Sequence, residues 1–245
     1  MRGLRMLTLS EFKLFIREPA AAFFTLAFPL ILLFVFGSIF GNDRDPDFGN
    51  WGAADVMVQG YIGLIIGTVA FMGIPVTIGS YRQYGILKWL RATPVTSPTV
   101  IVAHIIVNGI VTGMGTMLLL IVGRLVYGLR TPEAPFALVG AWLLSYLSFS
   151  VVGFTLAGIF STARTAQAVG SAIYFPQMFL SGASFPRELF PDGLERATRF
   201  LPMTQINILV SDLWRGDGLN WIAVMSLSLI GMAAAVIAFR YFRCE

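Results

Sequence analysis

Apolar residues in this chain come in long runs separated by short polar segments. The first run, 20–40, holds about twenty positions without a charge, which at 1.5 Å rise per residue matches a hydrocarbon core of about 30 Å. Similar runs at 56–80, 99–127, 136–160, 168–183 and 219–239 predict five further membrane spans. The third is unusually long and must tilt or protrude. Gly60, Gly63 and Gly67 in the second run, and Gly109, Gly113 and Gly115 in the third, are small enough to let a neighbouring helix come close. Pro176 predicts a kink in the fifth.

The polar segments between the runs predict the remaining elements. Residues 41–55 carry Asp43, Asp45, Asp47 and Asp55 against Arg44, with Trp51 as an interfacial anchor, and read as an outer loop. Residues 184–218 are too polar to span. They hold two moderately apolar pieces, 194–201 and 206–213, expected as short helices dipping into the outer interface. Within them, 185–205 is expected to form a re-entrant cap, broken by Pro186, Pro191 and Pro202, with Glu195 and Arg199 paired at i, i+4. At the start of the chain, 2–17 reads as a helix lying in the inner interface and ended by Pro19. The expected fold is all-α integral membrane: one transmembrane domain over 1–245, with six spans, an interfacial helix at 1–19, an inner helix at 81–94 and an outer re-entrant hairpin at 184–218.

Composition agrees: 56% of the 245 residues are hydrophobic and 12% charged, against roughly 25% charged in a soluble domain. The net charge of +4 does not point to nucleic acid, because the basic residues flank apolar runs and form no stripe with interleaved aromatics. Their distribution gives an orientation. Arg2, Arg5, Lys13, Arg17, Arg82, Lys88, Arg91, Arg164, Arg240 and Arg243 fall on one side with Glu11, Glu18 and Glu245, while acidic residues outnumber basic ones on the other. The positive side is the inner one, so both termini are expected in the cytoplasm of a plasma or inner membrane protein. Charges as far in as Arg17 and Glu18 argue against a cleaved signal peptide. Cys244 is the single cysteine, so neither a disulfide within the chain nor a thiolate cluster can form.

The chemistry of an enzyme is missing. There is no GxxxxGK[ST] phosphate loop and no GxSxG elbow, His104 is the single histidine, and no carboxylate pair falls inside a predicted span. The expectation is no catalytic residue, no metal and no cofactor held by this chain. A stand-alone secondary carrier or channel is the alternative, and a membrane lipid enzyme a more remote one. The carrier should place an ionisable residue at membrane depth; the enzyme should cluster His, Asp or Cys at an interface. Residues 81–94 are more informative. As a helix they place Tyr84, Lys88 and Arg91 on one stripe, with Ile86, Leu87, Trp89 and Leu90 over the rest and Pro94 and Pro98 closing it. A stiff, basic, half-apolar helix suits docking into an apolar cleft with acidic surroundings.

The pattern R-x-x-G-x-L-x-x-L-R-x-x-P, here Arg82, Gly85, Leu87, Leu90, Arg91 and Pro94, resembles the first inner loop of type-2 ABC transporter permeases, the group with daunorubicin-resistance-like and polysaccharide or lipid export permeases. The stretch FLSGASFPRELFPDGLERATRFLPMTQ, with Gly182, Phe185, Pro186, Leu201 and Pro202, resembles the segment after the fifth span in the same group. The resemblance implies a permease subunit without its own ATPase, paired with a second permease as a homodimer or heterodimer. It also implies a cytoplasmic P-loop ATPase that supplies ATP and Mg and docks on a coupling segment of Arg82, Tyr84, Gly85, Leu87, Lys88, Trp89, Leu90, Arg91 and Pro94. Export of a lipophilic or amphiphilic cargo by alternating access follows from it, with the first, second and fifth spans lining the dimer interface and the path. By span, Thr68, Phe71, Tyr174, Phe175 and Gln177 become path candidates.

Overall fold

The structure is a computed structural model and describes residues 23–85, 97–160 and 162–241. The expected interfacial helix at 1–19 and the inner segment 86–94 lie outside the described residues. Among the described residues eight α-helices follow one another: α1 (Phe23–Phe40), α2 (Ala53–Gln83), α3 (Ser97–Tyr127), α4 (Pro135–Ile159), α5 (Ala163–Leu180), α6 (Asp192–Thr198), α7 (Pro202–Arg215) and α8 (Trp221–Tyr241). Within α1 and α2 a single π-helical turn, Phe23–Ala27 and Val69–Gly73 respectively, interrupts the α-helical register. Five of the helices, all but α5, α6 and α7, are long and apolar enough to cross a membrane. Helix α5, where the fifth span was expected, has 18 residues, about 27 Å at helical rise, but Arg164, Gln167 and Gln177 leave it less apolar than the others. It begins five residues before the expected 168, where the Thr162 side chain accepts from the Thr165 amide at 3.1 Å and caps it.

Helix α2 is the centre. Every residue from Ala53 to Phe71 is buried, whereas most of α8 and α1 faces outward: 78% of the most apolar stretch of α2 is buried, against 17% and 22% for the other two. Helices α1, α3, α4, α5 and α7 pack around α2, and α8 lies along α4, where the Thr155 hydroxyl donates to the Ala234 carbonyl at 2.8 Å. The outward positions of α3 and α8, such as Ile110, Met117, Ile121, Ile222, Met225 and Val236, are apolar and exposed. That is the inverse of a water-soluble bundle and fits lipid as the surrounding solvent.

Backbones touch α2 at glycines. A Cβ on Gly153 of α4 or Gly170 of α5 would collide with the carbonyl oxygens of Ala70 and Phe71 in the π-turn, and one on Gly60 would meet the Gly182 carbonyl. Without side chains at these points the helices approach to backbone contact, the packing mode that lipid-embedded helices rely on.

The bundle has two ends. At one lie the C-termini of α1, α3, α5 and α7 and the N-termini of α2, α4 and α8. Here the segment expected as plain loop forms a small antiparallel hairpin, β1 (Arg44–Asp45) with β2 (Trp51–Gly52), so the expected all-α fold carries one two-stranded exception. The hairpin is held to the helices by polar contacts. Asn42 donates to the Tyr127 carbonyl at 3.1 Å and accepts from the Asp55 amide at 3.0 Å. Fully buried Asp55 accepts from the Arg130 amide at 2.9 Å, and the Arg130 guanidinium lies 3.9 Å from its second oxygen and 5.0 Å from the Trp51 ring centre. Asp55 thus joins the start of α2 to the α3–α4 loop.

Replacing Asp55 by Ala leaves the Arg130 amide without its acceptor and should cost about 1–3 kcal/mol, while Asp55→Asn, which keeps an acceptor oxygen, should cost less. Thermal unfolding of the two variants in nanodiscs checks this; equal loss in both would show that the hydrogen bond is not what Asp55 supplies.

Candidate functional site

Four of the five path candidates meet in the interior. Tyr174 on α5 is 1% exposed; its hydroxyl is 2.7 Å from that of Thr68 on α2, which itself donates to the Leu64 carbonyl at 2.9 Å. Phe71, within the π-turn, packs edge-on to Phe149 at 5.7 Å and tilted to Tyr174 at 6.4 Å. Gln177 reaches across to α7, accepting from the Met203 amide at 3.2 Å. This bond satisfies one of the donors that the first turn of α7 leaves without helical partners. Phe175 is the exception: it is exposed on the outer face of α5 with Ile173 and Phe179. Thr68, Phe71, Tyr174 and Gln177 therefore hold α2, α5 and α7 together within one chain. In this arrangement α2 has no exposed face from Ala53 to Phe71, whereas α1 and α5 carry exposed apolar residues.

The segment after α5 brings the other motif together. Gly182 adopts a left-handed φ of +86°, which a side chain would strain, and this turns the chain back over α2. Phe185 stacks on Phe179 at 6.2 Å and meets Phe36 of α1 edge-on at 5.5 Å. Leu201 precedes α7, and Pro202 occupies its first turn, where a missing N–H costs nothing. Sequence patterning placed a short helix at 206–213 in the interface; α7 instead starts four residues earlier and buries Met203, Ile206, Leu209, Val210 and Leu213 against α2 and its neighbours. It reaches far along α2. Met203 lies against Gly67, fourteen residues or about 21 Å from the start of α2. The expected Glu195–Arg199 pair is replaced: Glu195 pairs with Arg187 at 3.2 Å, and Arg215 pairs with Glu188 at 2.5 Å. Arg199 is the residue that caps the C-terminus of α6, and the Glu195 carboxylate is engaged by Arg187 instead. Burial pulls the Arg187 guanidinium below the usual arginine pKa, opposed by Glu195 and Glu188.

Residues of this segment line a half-open cavity of about 320 Å³ at the hairpin end. Pro186, Arg187 and Arg215 line it together with Gln59 and Asn207, which sequence reasoning did not single out. The available signal was Gln59 itself, a lone amide within an apolar run. Groups of three or more His, Cys, Asp or Glu placed to hold a metal ion do not occur among the described residues. His104 is buried between the rings of Tyr81 and Phe154.

At the opposite end only part of the coupling segment is described. Tyr81 and Arg82 were expected to open a separate inner helix; they form the last turn of α2, and Arg82 donates to the Phe160 carbonyl at 3.1 Å. Tyr84 is exposed, and Gly85, at φ +68°, ends the helix with its amide bonded to the Arg82 carbonyl. A helical stripe through Lys88 and Arg91 therefore cannot begin at Tyr84. Leu87, Lys88, Trp89, Leu90, Arg91 and Pro94 lie outside the described residues.

A protein-family model described as ABC-2 type transporter matches residues 2–213. The chain belongs to that family. It is also similar to the Bacillus subtilis (strain 168) protein named Putative transport permease YvfS, at 21% identity over 228 residues, 93% of this chain and 91% of that one. Family members are the membrane subunits of transporters, and membership implies association with an ABC ATPase subunit.

The buried hydroxyl pair gives a test of the interior. Thr68→Val and Tyr174→Phe should each cost about 1–3 kcal/mol, and the double variant clearly less than their sum. A double-mutant cycle of thermal unfolding measures the coupling; strict additivity would mean that the two hydroxyls do not interact.

Proposed function

We propose that this chain is the membrane-spanning permease subunit of an ATP-driven exporter in a plasma or inner membrane, with both termini cytoplasmic. Two permease subunits, identical or different, pair, and a cytoplasmic P-loop ATPase that binds ATP and Mg docks on the segment following Gly85. A lipophilic or amphiphilic cargo, such as a drug, lipid or lipid-linked glycan, passes outward by alternating access.

One observation carries the reading: α2 runs as a single helix from the hairpin end, where it walls the polar cavity through Val56, Gln59 and Gly60, to Gln83, inside the coupling motif that opens at Arg82. A push on residues 84–94 is delivered directly to the most buried element of the fold. Helix α2 in turn moves α4, α5 and α7 with it, because they touch its backbone. The exposed apolar faces of α1 (Ile31, Phe34, Val35) and α5 (Ile173, Phe175, Phe179) offer the surface that pairing needs, in line with the implied role of the first and fifth spans. Among the described residues the charges lie at the helix ends or in the connections, which favours this reading over an ion-coupled carrier.

Reversing the coupling charges with Lys88→Glu plus Arg91→Glu replaces two attractions by repulsions worth about 1 kcal/mol each, so retention of the partner ATPase should fall tenfold or more. Leu90→Asp tests the apolar half. Normal membrane levels, ATPase co-purification and export in both variants would remove these residues from the coupling role. For orientation, Cys244 in intact cells should react with a membrane-impermeant maleimide only after permeabilisation; labelling without it would reverse the topology.

A further inference from the structure

Between α3 and α4 lies a second half-open cavity, of about 230 Å³, whose accessible lining is apolar throughout. On α3 it is lined by Gly113, Thr116, Met117 and Leu120, one helix face at i, i+3, i+4 and i+7. On α4 it is lined by Leu138, Val139 and Trp142, and Ile62 and Val210 form its floor. The Trp142 indole is wedged between the two helices. Its ring lies 3.6 Å from where a Cβ on Gly113 would stand, stacks on Tyr146 at 5.5 Å and donates to the Thr116 hydroxyl at 3.2 Å. That hydroxyl in turn donates to the Thr112 carbonyl at 2.9 Å, so the polar groups of the lining are used among themselves.

Gly113 to Leu120 is a length of about 10 Å along α3, and 230 Å³ over that length leaves a width of about 5 Å. A protein helix is about 10 Å across and does not enter. A single hydrocarbon chain does, since carbons pack at about 4 Å. An apolar cavity of about 150 Å³ takes benzene, so the groove holds a segment of more than six carbons. Its rims, Met117 and Val139, are 59% and 58% exposed, and it opens to lipid. Toward the hairpin end the α3 face continues one turn beyond Leu120, about 6 Å, to Arg124, which is exposed. Arg124 donates to the Leu129 carbonyl and forms no salt bridge among the described residues. Of the acids at this end, Asp55 is fully buried and engaged by Arg130, and Glu133 packs against Gly216. A guanidinium carries five N–H donors and matches a phosphate in forked geometry.

We propose that the groove and Arg124 together bind one phospholipid of the hairpin-side leaflet, with an acyl chain lying along Trp142 and the phosphate on the Arg124 guanidinium. The chain fills the space that the indole leaves, so α3 and α4 pack through lipid where they do not pack on each other. The lipid is a resident of the surrounding bilayer, and the proposal does not depend on export or on coupling to an ATPase.

The test uses the full chain in dodecyl maltoside micelles, which contain no phosphate, titrated with phosphatidylglycerol bearing a photoactivatable diazirine midway along one acyl chain. Cross-linked residues are mapped by peptide mass spectrometry. Labelling of Met117, Val139 and Trp142 should saturate at low probe, while labelling of the outward Met225 and Met232 of α8 rises in proportion to it. Relative to that α8 signal, groove labelling should fall about tenfold in Arg124→Gln, the size expected of a charge-assisted contact, and stay near the parent level in Arg124→Lys. A diacylglycerol with the same diazirine chain but no phosphate should label the groove about tenfold less than the phospholipid does. Val139→Phe, which fills the groove from its rim, should remove the groove signal and leave that of α8; Gly113→Leu serves where this variant does not fold. Groove labelling that tracks α8 at every probe level, equal labelling by the diacylglycerol, or undiminished labelling in Arg124→Gln or in the filled variants overturns the site. No ATPase or transport enters this measurement, so it can fail while coupling through 84–94 stands, and the reverse.

Discussion

Backbone contact at glycines along α2 sets the spacing of the whole bundle. In lipid the hydrophobic effect cannot press one apolar helix against another, so close packing and internal hydrogen bonds must do so. Gly153 and Gly170 bring α4 and α5 onto the carbonyls of the π-turn, and Gly60 admits the turn at Gly182. Once these backbones touch, the side chains between them are enclosed by their own chain. Thr68 and Tyr174 can then share a hydroxyl contact where water is absent, and Gln177 can cap α7 from the side. The π-turn is the natural place for this convergence, because a helix that gains a residue in one turn displaces its carbonyls toward neighbours.

The hairpin end follows a different rule. Polar residues there are numerous and mostly matched to one another: Asn42 and Arg130 to Asp55, Arg187 to Glu195, Arg215 to Glu188. They connect the α1–α2 hairpin to the α3–α4 loop, and the stretch after α5 to the end of α7. Unmatched atoms remain even so: the second Asp55 oxygen, the Ser184 hydroxyl, the Nε of Arg187 and Arg215, both amide atoms of Gln59 and the amide oxygen of Asn207 accept or donate no hydrogen bond among the described residues.

Much of this was legible in the sequence. Run length locates the helices because lipid leaves so few alternatives, and the runs at 99–127 and 136–160 lie within two residues of α3 and α4. The burial of α7 was not legible. The polarity of 184–218 made 206–213 look interfacial, yet the Asn207 side chain donates to the Ser181 carbonyl, 26 residues away in sequence. Local composition cannot reveal a partner that distant along the chain. The path candidates were chosen by span, and facing was beyond reach because runs apolar on every side carry no periodic signal. Gly85 carried a visible stop signal, but the smooth apolar pattern beyond it suggested one helix from Tyr81 onward.

The position of the π-turn has a mechanical meaning. Five residues, Val69–Gly73, are clamped by α4 and α5, leaving sixteen helical residues, Ala53–Thr68, on one side and ten, Ile74–Gln83, on the other. At 1.5 Å per residue these are arms of about 24 Å and about 15 Å. A rod held at that fulcrum is a lever with the shorter arm at the motif end, so a displacement of Gln83 arrives at the opposite tip enlarged by a factor of about 1.6.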